Sequence, residues 1–386
     1  MSDMKITDSV RYIGADDDTL DLFESQYPVP DGVSYNSYLI LDEKTAVMDT
    51  VDFRAKDVWL SNLEKELNGR SVDYLIVSHM EPDHAACIGM LAERYPKMQI
   101  VGNAKTFPMI SRFFSIDFEE RQVIVGEGDT LSLGSHTLQF FMAPMVHWPE
   151  VMVAYEQSEK ILFSADGFGT FGALSKNIPW EQEAGRYYFN IVGKYGVQVQ
   201  TLLKKAAGLD IQMICPLHGP VLKENLAYYI NKYQIYSSYE PEEKGIVIAC
   251  ASIHGHTKQA AKKLAELLKD KGEKVIFYDL TREDTSKVIA DAFKYDRMIL
   301  AACTYDGGLF PPMEDFLHHL KSKGFRKRTI GIMENGSWAP VAGRHMKAIL
   351  EQMKDITVCE REVTIKSAAT EEDYRVMEEL AAEITQ

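Results

Sequence analysis

One short segment, His79-Met80-Glu81-Pro82-Asp83-His84, restricts this chain more than any other part of it. It holds four side chains able to bind a metal and directly follows residues 74–77, an apolar run that reads as a buried strand. His79, Glu81 and Asp83 are spaced by two, so an extended loop directs them to one side. Carboxylates and imidazoles crowded in this way repel or mis-titrate unless a cation joins them. Three more candidates follow other strand-like runs: His147 after residues 136–142, Asp166 after 160–164 and His218 after 212–215. Taken singly, a loop histidine is more often structural, and an aspartate after a strand is more often a turn residue. Together they place ligands at the ends of four strands, which is how a layered sandwich assembles a metal site.

The surrounding pattern supports such a sandwich. Residues 35–41 and 45–50 are β-rich runs about Asp42-Glu43-Lys44, a hairpin signal. Residues 57–67 have helical spacing. Short strands are expected at 122–125, 130–133 and 151–155, and a long helix at 187–207. The charged, proline-containing stretch 239–244 reads as a linker. Beyond it, strands at 245–249, 274–279, 298–302 and 328–333 alternate with helices, the first of them at 257–271. That rhythm describes a doubly wound parallel sheet. A chain of 386 residues is too long for a single core, and two domains are expected, residues 1–243 and 244–386.

Three loops at strand ends in the second half could hold an anionic, aromatic ligand. Ser252-Ile253-His254-Gly255-His256-Thr257 opens a helix, where free backbone N–H groups favour a phosphate and the two hydroxyls add donors. Thr304-Tyr305-Asp306-Gly307-Gly308 and Asn335-Gly336-Ser337-Trp338 each offer flexible backbone and a ring able to stack. Neither GxxxxGK[ST] nor GxGxxG occurs, which speaks against triphosphate and dinucleotide loops.

Bulk properties exclude other classes. The net charge of −15 argues against nucleic acid and against an anionic membrane surface. The N-terminal residues lack a signal-peptide h-region, and no stretch approaches the ~18 apolar residues of a membrane helix. Five scattered cysteines with no CxxC pair suggest a reducing cytoplasm and no rubredoxin-like module within the chain.

The ordered set HxExDH, His, Asp, His resembles the metallo-β-lactamase superfamily, whose hydrolases usually show HxHxDH. Glu81 stands where the second imidazole would be. Carboxylate for imidazole hardens the site and suits iron better than hydrolytic zinc. This variant resembles the di-iron domain of flavodiiron proteins, and the second half resembles flavodoxin. The resemblance covers essentially the whole chain.

It implies an N-terminal αββα sandwich followed by a flavodoxin-like sheet. It also implies that His79, Glu81 and His147 bind one iron, that Asp83 and His218 bind the other, and that Asp166 bridges them. His84 either ligates or turns away. FMN would occupy the three loops, although His254 and His256 stand where Thr, Tyr, Trp or Asn are more usual, and Asp306-Gly307 where Asn-Asn is common. The implied activity is reduction of O2 to water, or of NO to N2O. Electrons would come from rubredoxin or a similar donor, in a head-to-tail homodimer or a dimer of dimers. Tyr195 is the candidate donor of a hydrogen bond to the diatomic substrate. Two alternatives stand beside this reading: a zinc-dependent hydrolase with a flavodoxin-like appendage, and an electron-shuttling flavin carrier with a vestigial first domain.

Overall fold

The structure, a computed structural model, describes residues 5–115 and 118–386. The chain divides into two compact units, Met1–Tyr188 with Val197–Gln234, and Phe189–Gly196 with Ile235–Gln386.

The first unit is a two-sheet sandwich. One sheet orders its strands Val10–Tyr12, Tyr38–Leu41, Thr45–Met48, Tyr74–Ile76, Gln99–Gly102 and Gln122–Ile124. The other orders Thr130–Ser132, Thr137–Met142, Met152–Glu156, Ile161–Phe163 and Met213–Cys215. A single buried cluster joins their inner faces: Tyr38, Ile40, Met48, Ile76 and Val101 from the first sheet, with Leu138, Phe140, Met152, Ala154 and Phe163 from the second. Alternate residues contribute along the strands, as the two-residue side-chain period requires. The hairpin about Asp42-Glu43-Lys44 forms with Leu41 opposite Thr45.

Strand direction positions the site. Thr45–Met48, Tyr74–Ile76 and Gln99–Gly102 run parallel, as do Ile161–Phe163 and Met213–Cys215. Chain segments leaving these carboxyl ends therefore emerge on common edges of their sheets. His79 and Asp166 lie three residues beyond Tyr74–Ile76 and Ile161–Phe163, and His218 three beyond Met213–Cys215.

Two local expectations need correction. The segment after His79 is not extended throughout: Pro82–Ala85 is a short helix with Glu81 at its N-cap. Proline at the first helical position carries the right φ and sacrifices no hydrogen bond. The long helix expected at 187–207 is broken. Trp180–Tyr187 is helical, Tyr188–Val192 widens to a π-turn, Gly193–Tyr195 tightens, and an α-helix resumes at Gly196–Ala206. The Tyr239 hydroxyl inserts there, donating to the Gly193 carbonyl at 2.8 Å and accepting from Gly196 N at 3.2 Å. Side-chain insertion of this kind is a recognised cause of helix interruption. A Cβ at Gly196 would lie 2.4 Å from the Ser237 carbonyl, so the approach requires glycine.

The second unit is an all-parallel five-stranded sheet ordered Val275–Asp279, Glu243–Ala251, Tyr295–Tyr305, Arg326–Asn335 and Lys354–Ile365. In sequence order this is 2-1-3-4-5, the flavodoxin-like doubly wound topology, whose ligand crevice lies where the first and third strands diverge. The first strand of the unit, an interior one, is buried without interruption from Gly245 to Ala251, as strands covered on both faces are. Helix His256–Asp270 packs Ala260, Ala261, Leu264, Ala265 and Leu268 on one face, and Glu371–Ile384 adds Met377, Leu380 and Ile384.

Candidate metal centre and flavin cavity

The seven sequence-predicted metal residues come together in two groups. His79, Glu81, His147 and Asp166 form one, and Asp83, His84 and His218 the other; within each, the candidate ligand atoms lie within 4.8 Å of one another. Asp166 faces both groups. Its Oδ2 is 3.4 Å from His79 Nε2 and 3.3 Å from His147 Nε2, and its Oδ1 is 3.4 Å from His84 Nε2 and 3.8 Å from His218 Nε2. Glu81 Oε2 lies 3.1 Å from His79 Nε2 and 3.0 Å from His147 Nε2. Asp83 Oδ2 lies 3.3 Å from His84 Nε2 and 3.2 Å from His218 Nε2. His84 turns inward, its Nε2 only 3.0 Å from that of His218.

The imidazoles are held by groups that sequence reasoning missed. Glu150, fully buried, lies 2.9 Å from His79 Nδ1 and also accepts from Met80 N at 2.8 Å. An ionised carboxylate only accepts, so Nδ1 carries the proton and Nε2 turns its lone pair to the site. The Ser34 carbonyl does the same for His218, 2.7 Å from Nδ1. Asp49 receives Ser78 N and His79 N, and burial lifts its carboxyl to about 6. Glu150 had a local signal, standing three residues after His147. Ser34 had none.

The electrostatics fit a cation. Burial opposes charge on every member. Even so, the imidazoles of His147 and His79 beside it hold Glu81 well below the usual carboxylate range, and those of His147 and His84 do the same for Asp166. Burial likewise disfavours imidazolium at His147, yet Asp166 and Glu81 lift it to about 9. His79 and His84 shift upward for similar reasons. Both carboxylate oxygens of Asp83, Asp166 Oδ1 and His84 Nδ1 are buried without a hydrogen-bond partner. Each such atom costs roughly 1–3 kcal/mol unless compensated. Three carboxylates and four imidazoles with orphaned lone pairs converging on two points suit a pair of hard-to-borderline cations bridged by Asp166.

A cleft of about 240 Å³ opens onto Glu81 and Asp83 beneath Leu22, Phe23 and Glu24. A buried tyrosine that the sequence reading did not single out, Tyr187, faces the carboxylates. Tyr187 is fully buried, its ring lies 5.6 Å from that of His218, and its hydroxyl has no hydrogen-bond partner. Burial, with Asp166, Asp83 and Glu81 nearby, raises its pKa well above the ordinary phenol value. Gly169 makes room for it, since a Cβ there would meet the Tyr187 ring at 2.9 Å. Tyr195 instead belongs to the tightened turn in the second unit, with Lys194 Nζ 5.8 Å from its ring centroid.

In the second unit a cavity of about 800 Å³ opens at the carboxyl ends of the strands, within the usual size of a small-ligand site. Of the fifteen residues expected there, Ser252, Ile253, His254, His256, Thr257, Thr304, Tyr305, Asp306, Gly307, Asn335, Gly336, Ser337 and Trp338 line it; Gly255 and Gly308 do not. Those two glycines shape it instead. Gly255, at φ +95, is the N-cap of helix His256–Asp270, and Gly308 pairs with Tyr305 across a turn in which Asp306 and Gly307 have positive φ. Several lining side chains are already engaged. The Thr304 hydroxyl accepts from Val341 N and Ala342 N, and the Asn335 amide binds both backbone groups of Ser367. Ser367, from the loop after the fifth strand, and Cys303 also line the cavity and were missed. Trp338 is 91% exposed and Tyr305 45%.

A family model described as "ODP family beta lactamase" matches residues 33–219. A rubredoxin-oxygen oxidoreductase of Megalodesulfovibrio gigas is 29% identical, covering 100% of this chain and 98% of the relative. A nitric oxide reductase of Moorella thermoacetica is 28% identical, covering 98% and 97%. Among solved structures, the rubredoxin oxygen:oxidoreductase from Desulfovibrio gigas superposes with a TM-score of 0.93 at 28% identity, covering 99% of this chain and 97% of that one. Solved structures described as flavodiiron proteins share the fold.

Over essentially its whole length the chain is similar to these oxygen and nitric oxide reductases.

That likeness spans both the sandwich, in which Glu81 shares a group with two histidines, and the flavodoxin-type sheet that follows it. Among the described residues, no helix is long and apolar enough to cross a membrane, and all five cysteines are free and buried.

Proposed function

We infer that this chain is an oxidoreductase that reduces O2 to water, NO to N2O, or both, at a di-iron centre supplied with electrons through FMN by a rubredoxin-type donor. The observation that carries the reading is the division of seven ligands into two groups sharing Asp166, with Glu81 in the first. In this reading His79, Glu81 and His147 would hold one iron, Asp83, His84 and His218 would hold the other, and Asp166, which faces both groups, would be shared between them. When bound, two ferrous ions and reduced flavin supply the four electrons that O2 needs, or the two that couple a pair of NO molecules.

The protein's own residues set the conditions. Glu150 and Ser34 fix the tautomers of His79 and His218. Tyr187 holds a proton on an otherwise unpartnered hydroxyl beside the carboxylates. Phe23 and Tyr35 pack their rings 5.4 and 6.1 Å from His218, walling the site from bulk water. The largely exposed Trp338 at the flavin cavity is consistent with a second copy of the chain covering it. A head-to-tail dimer, or a pair of such dimers, would bring one chain's flavin beside its partner's irons. A reducing cytoplasm accords with the free cysteines.

The test is iron and FMN quantitation on the full chain, with steady-state consumption of O2 and of NO using reduced rubredoxin as donor. Two irons, one FMN and consumption of either gas support the reading. Stoichiometric zinc without gas consumption favours a hydrolase, and FMN without consumption favours a flavin shuttle.

A further inference from the structure

The second ligand group draws on two distant stretches of chain. Asp83 and His84 come from the short helix Pro82–Ala85, and His218 comes from residues 216–219, the loop beyond Met213–Cys215. Both stretches hang from the open end of one hairpin. Tyr38 pairs with Met48 where the strands Tyr38–Leu41 and Thr45–Met48 end, so the antiparallel register brings Asn36 and Thr50 to the same end. Ser37 Oγ ties that end together, donating to the Asp49 carbonyl at 2.8 Å. Thr50 holds the helix: its N–H and its hydroxyl both donate to the His84 carbonyl, at 2.9 and 2.8 Å. Asn36, 0% exposed, holds the loop at three points. Its side-chain amide donates to the carbonyls of Pro216 and Gly219, each at 2.8 Å, and its backbone N–H donates to the Leu217 carbonyl, also at 2.8 Å. A carbonyl only accepts, so both must face the amide nitrogen; the amide oxygen is left to accept from the Tyr12 hydroxyl at 3.1 Å. Tyr38 gives the Pro216 carbonyl a second donor at 2.7 Å, and the Ser34 hydroxyl accepts from Gly219 N at 2.8 Å.

The loop carbonyls on either side of His218 are therefore fixed from one end of the hairpin. With the Ser34 carbonyl at Nδ1, the ring has little freedom left, and its Nε2 stands 3.0 Å from His84 Nε2 and 3.2 Å from Asp83 Oδ2. The loop also touches the segment of the shared Asp166, through Leu217 N to the Ala165 carbonyl at 2.9 Å, but the Asn36 side chain takes no part in that bond. None of the Asn36 hydrogen bonds described above reaches the segments that carry His79, Glu81 or His147. We propose that Asn36 is a positioning residue for the second metal: its amide fixes the His218 loop to the hairpin that also carries the His84 helix, and its loss weakens that ligand group selectively. The proposal rests on the reading that the two groups take two metal ions. It goes further in tying the affinity of one group, and not of the other, to a side chain that touches no metal.

The experiment is anaerobic titration of cobalt(II) into the full chain freed of metal, followed by visible absorption and calorimetry. Hydrogen exchange of the metal-free protein is measured beside it by mass spectrometry. The variants are Asn36→Ala, Asn36→Asp and Tyr38→Phe. The natural chain should take up two ions. In Asn36→Ala one of the two binding steps should stay within about threefold of natural, and the other should weaken about 10–100-fold, as on loss of a partner behind a metal ligand. Amide exchange should quicken in residues 213–219 and stay natural in 79–86, a contrast that a general loss of stability does not produce. Asn36→Asp keeps the shape but only accepts when ionised, so it should do no better than alanine; natural affinity in that variant overturns the proposal. Tyr38→Phe removes one of the two donors to the Pro216 carbonyl and should weaken the same step about two- to fivefold. If Asn36→Ala does not fold, Tyr38→Phe decides, and two unchanged steps in it overturn the proposal. Two steps that weaken together, or neither weakening, overturn the proposal and leave the two-metal reading standing. A natural chain that takes up fewer than two ions overturns both.

Discussion

The two candidate sites solve the same problem, placing charge in a folded chain, by opposite means. The metal centre is buried and built from side chains: His79 is 0% exposed, Asp166 1% and His218 1%. Every one of its seven candidate ligands is an ionisable group brought in from beyond a strand end or from the short helix Pro82–Ala85. The flavin cavity is open and lined largely by loop residues, with a largely exposed Trp338 at its edge. Where water is excluded, an unpaired lone pair is costly and each ligand needs a partner behind it. Where water has access, a lost contact is partly replaced by solvent. The metal site should therefore respond steeply to small chemical changes, and the flavin site gently.

The sharpest challenge to that contrast is Asp166→Ala. It removes the one carboxylate that faces both ligand groups, and turnover should fall by on the order of a thousandfold as metal-assisted stabilisation is lost. Iron content per chain and gas consumption check it; a variant with two irons and natural turnover would show that the bridge is dispensable.

Glu150→Gln touches no metal, yet it should weaken metal affinity about 10–100-fold, because the His79 ring loses its anionic anchor. Competition with a chelator of known affinity reads this directly.

Acidity acts on the metal site with a definite sign. In the metal-free protein Asp166 and Glu81, working against burial, raise His147 to about 9. The stabilising ion pairs of that imidazolium are fully present below the ordinary histidine value near ~6.5 and are lost as pH rises through about 9. A metal must displace that proton, so apparent metal affinity should climb by up to about tenfold per pH unit between 6.5 and 9. Chelator-buffered metal titrations across this range decide it, and a flat profile would mean that the imidazole is already neutral.

Tyr187→Phe should keep iron and FMN content and slow gas consumption about tenfold, a modest effect for loss of a positioned proton donor. Tyr195→Phe is the matched control and should leave turnover near natural; the reverse ranking would restore the earlier expectation for Tyr195. The smallest effect is expected from Trp338→Ala, a two- to tenfold loss of FMN affinity, measured by fluorescence titration. A loss as large as that from Glu150→Gln would erase the contrast between the sites.

Much of this was legible in the chain itself. The residue types at positions 79, 81, 83, 84, 147, 166 and 218, their placement after strands, and the carboxylate in place of an imidazole at Glu81 are local facts. The β-α alternation beyond residue 244 is local too, because a two-residue or 3.6-residue period is written into neighbouring side chains. Tertiary structure decided the rest. Glu150 reaches His79 across 71 positions and Ser34 reaches His218 across 184, and no spacing rule pairs residues so far apart. The break in the 187–207 helix depends on a hydroxyl from Tyr239, and the inward turn of His84 on the helical turn begun by Pro82. Which tyrosine faces the carboxylates followed from the same break. A sequence specifies which chemical groups are present and the period on which they repeat. Which lone pair of Asp166 meets which imidazole is set only when both sheets have packed and the loops at their edges have nowhere else to go.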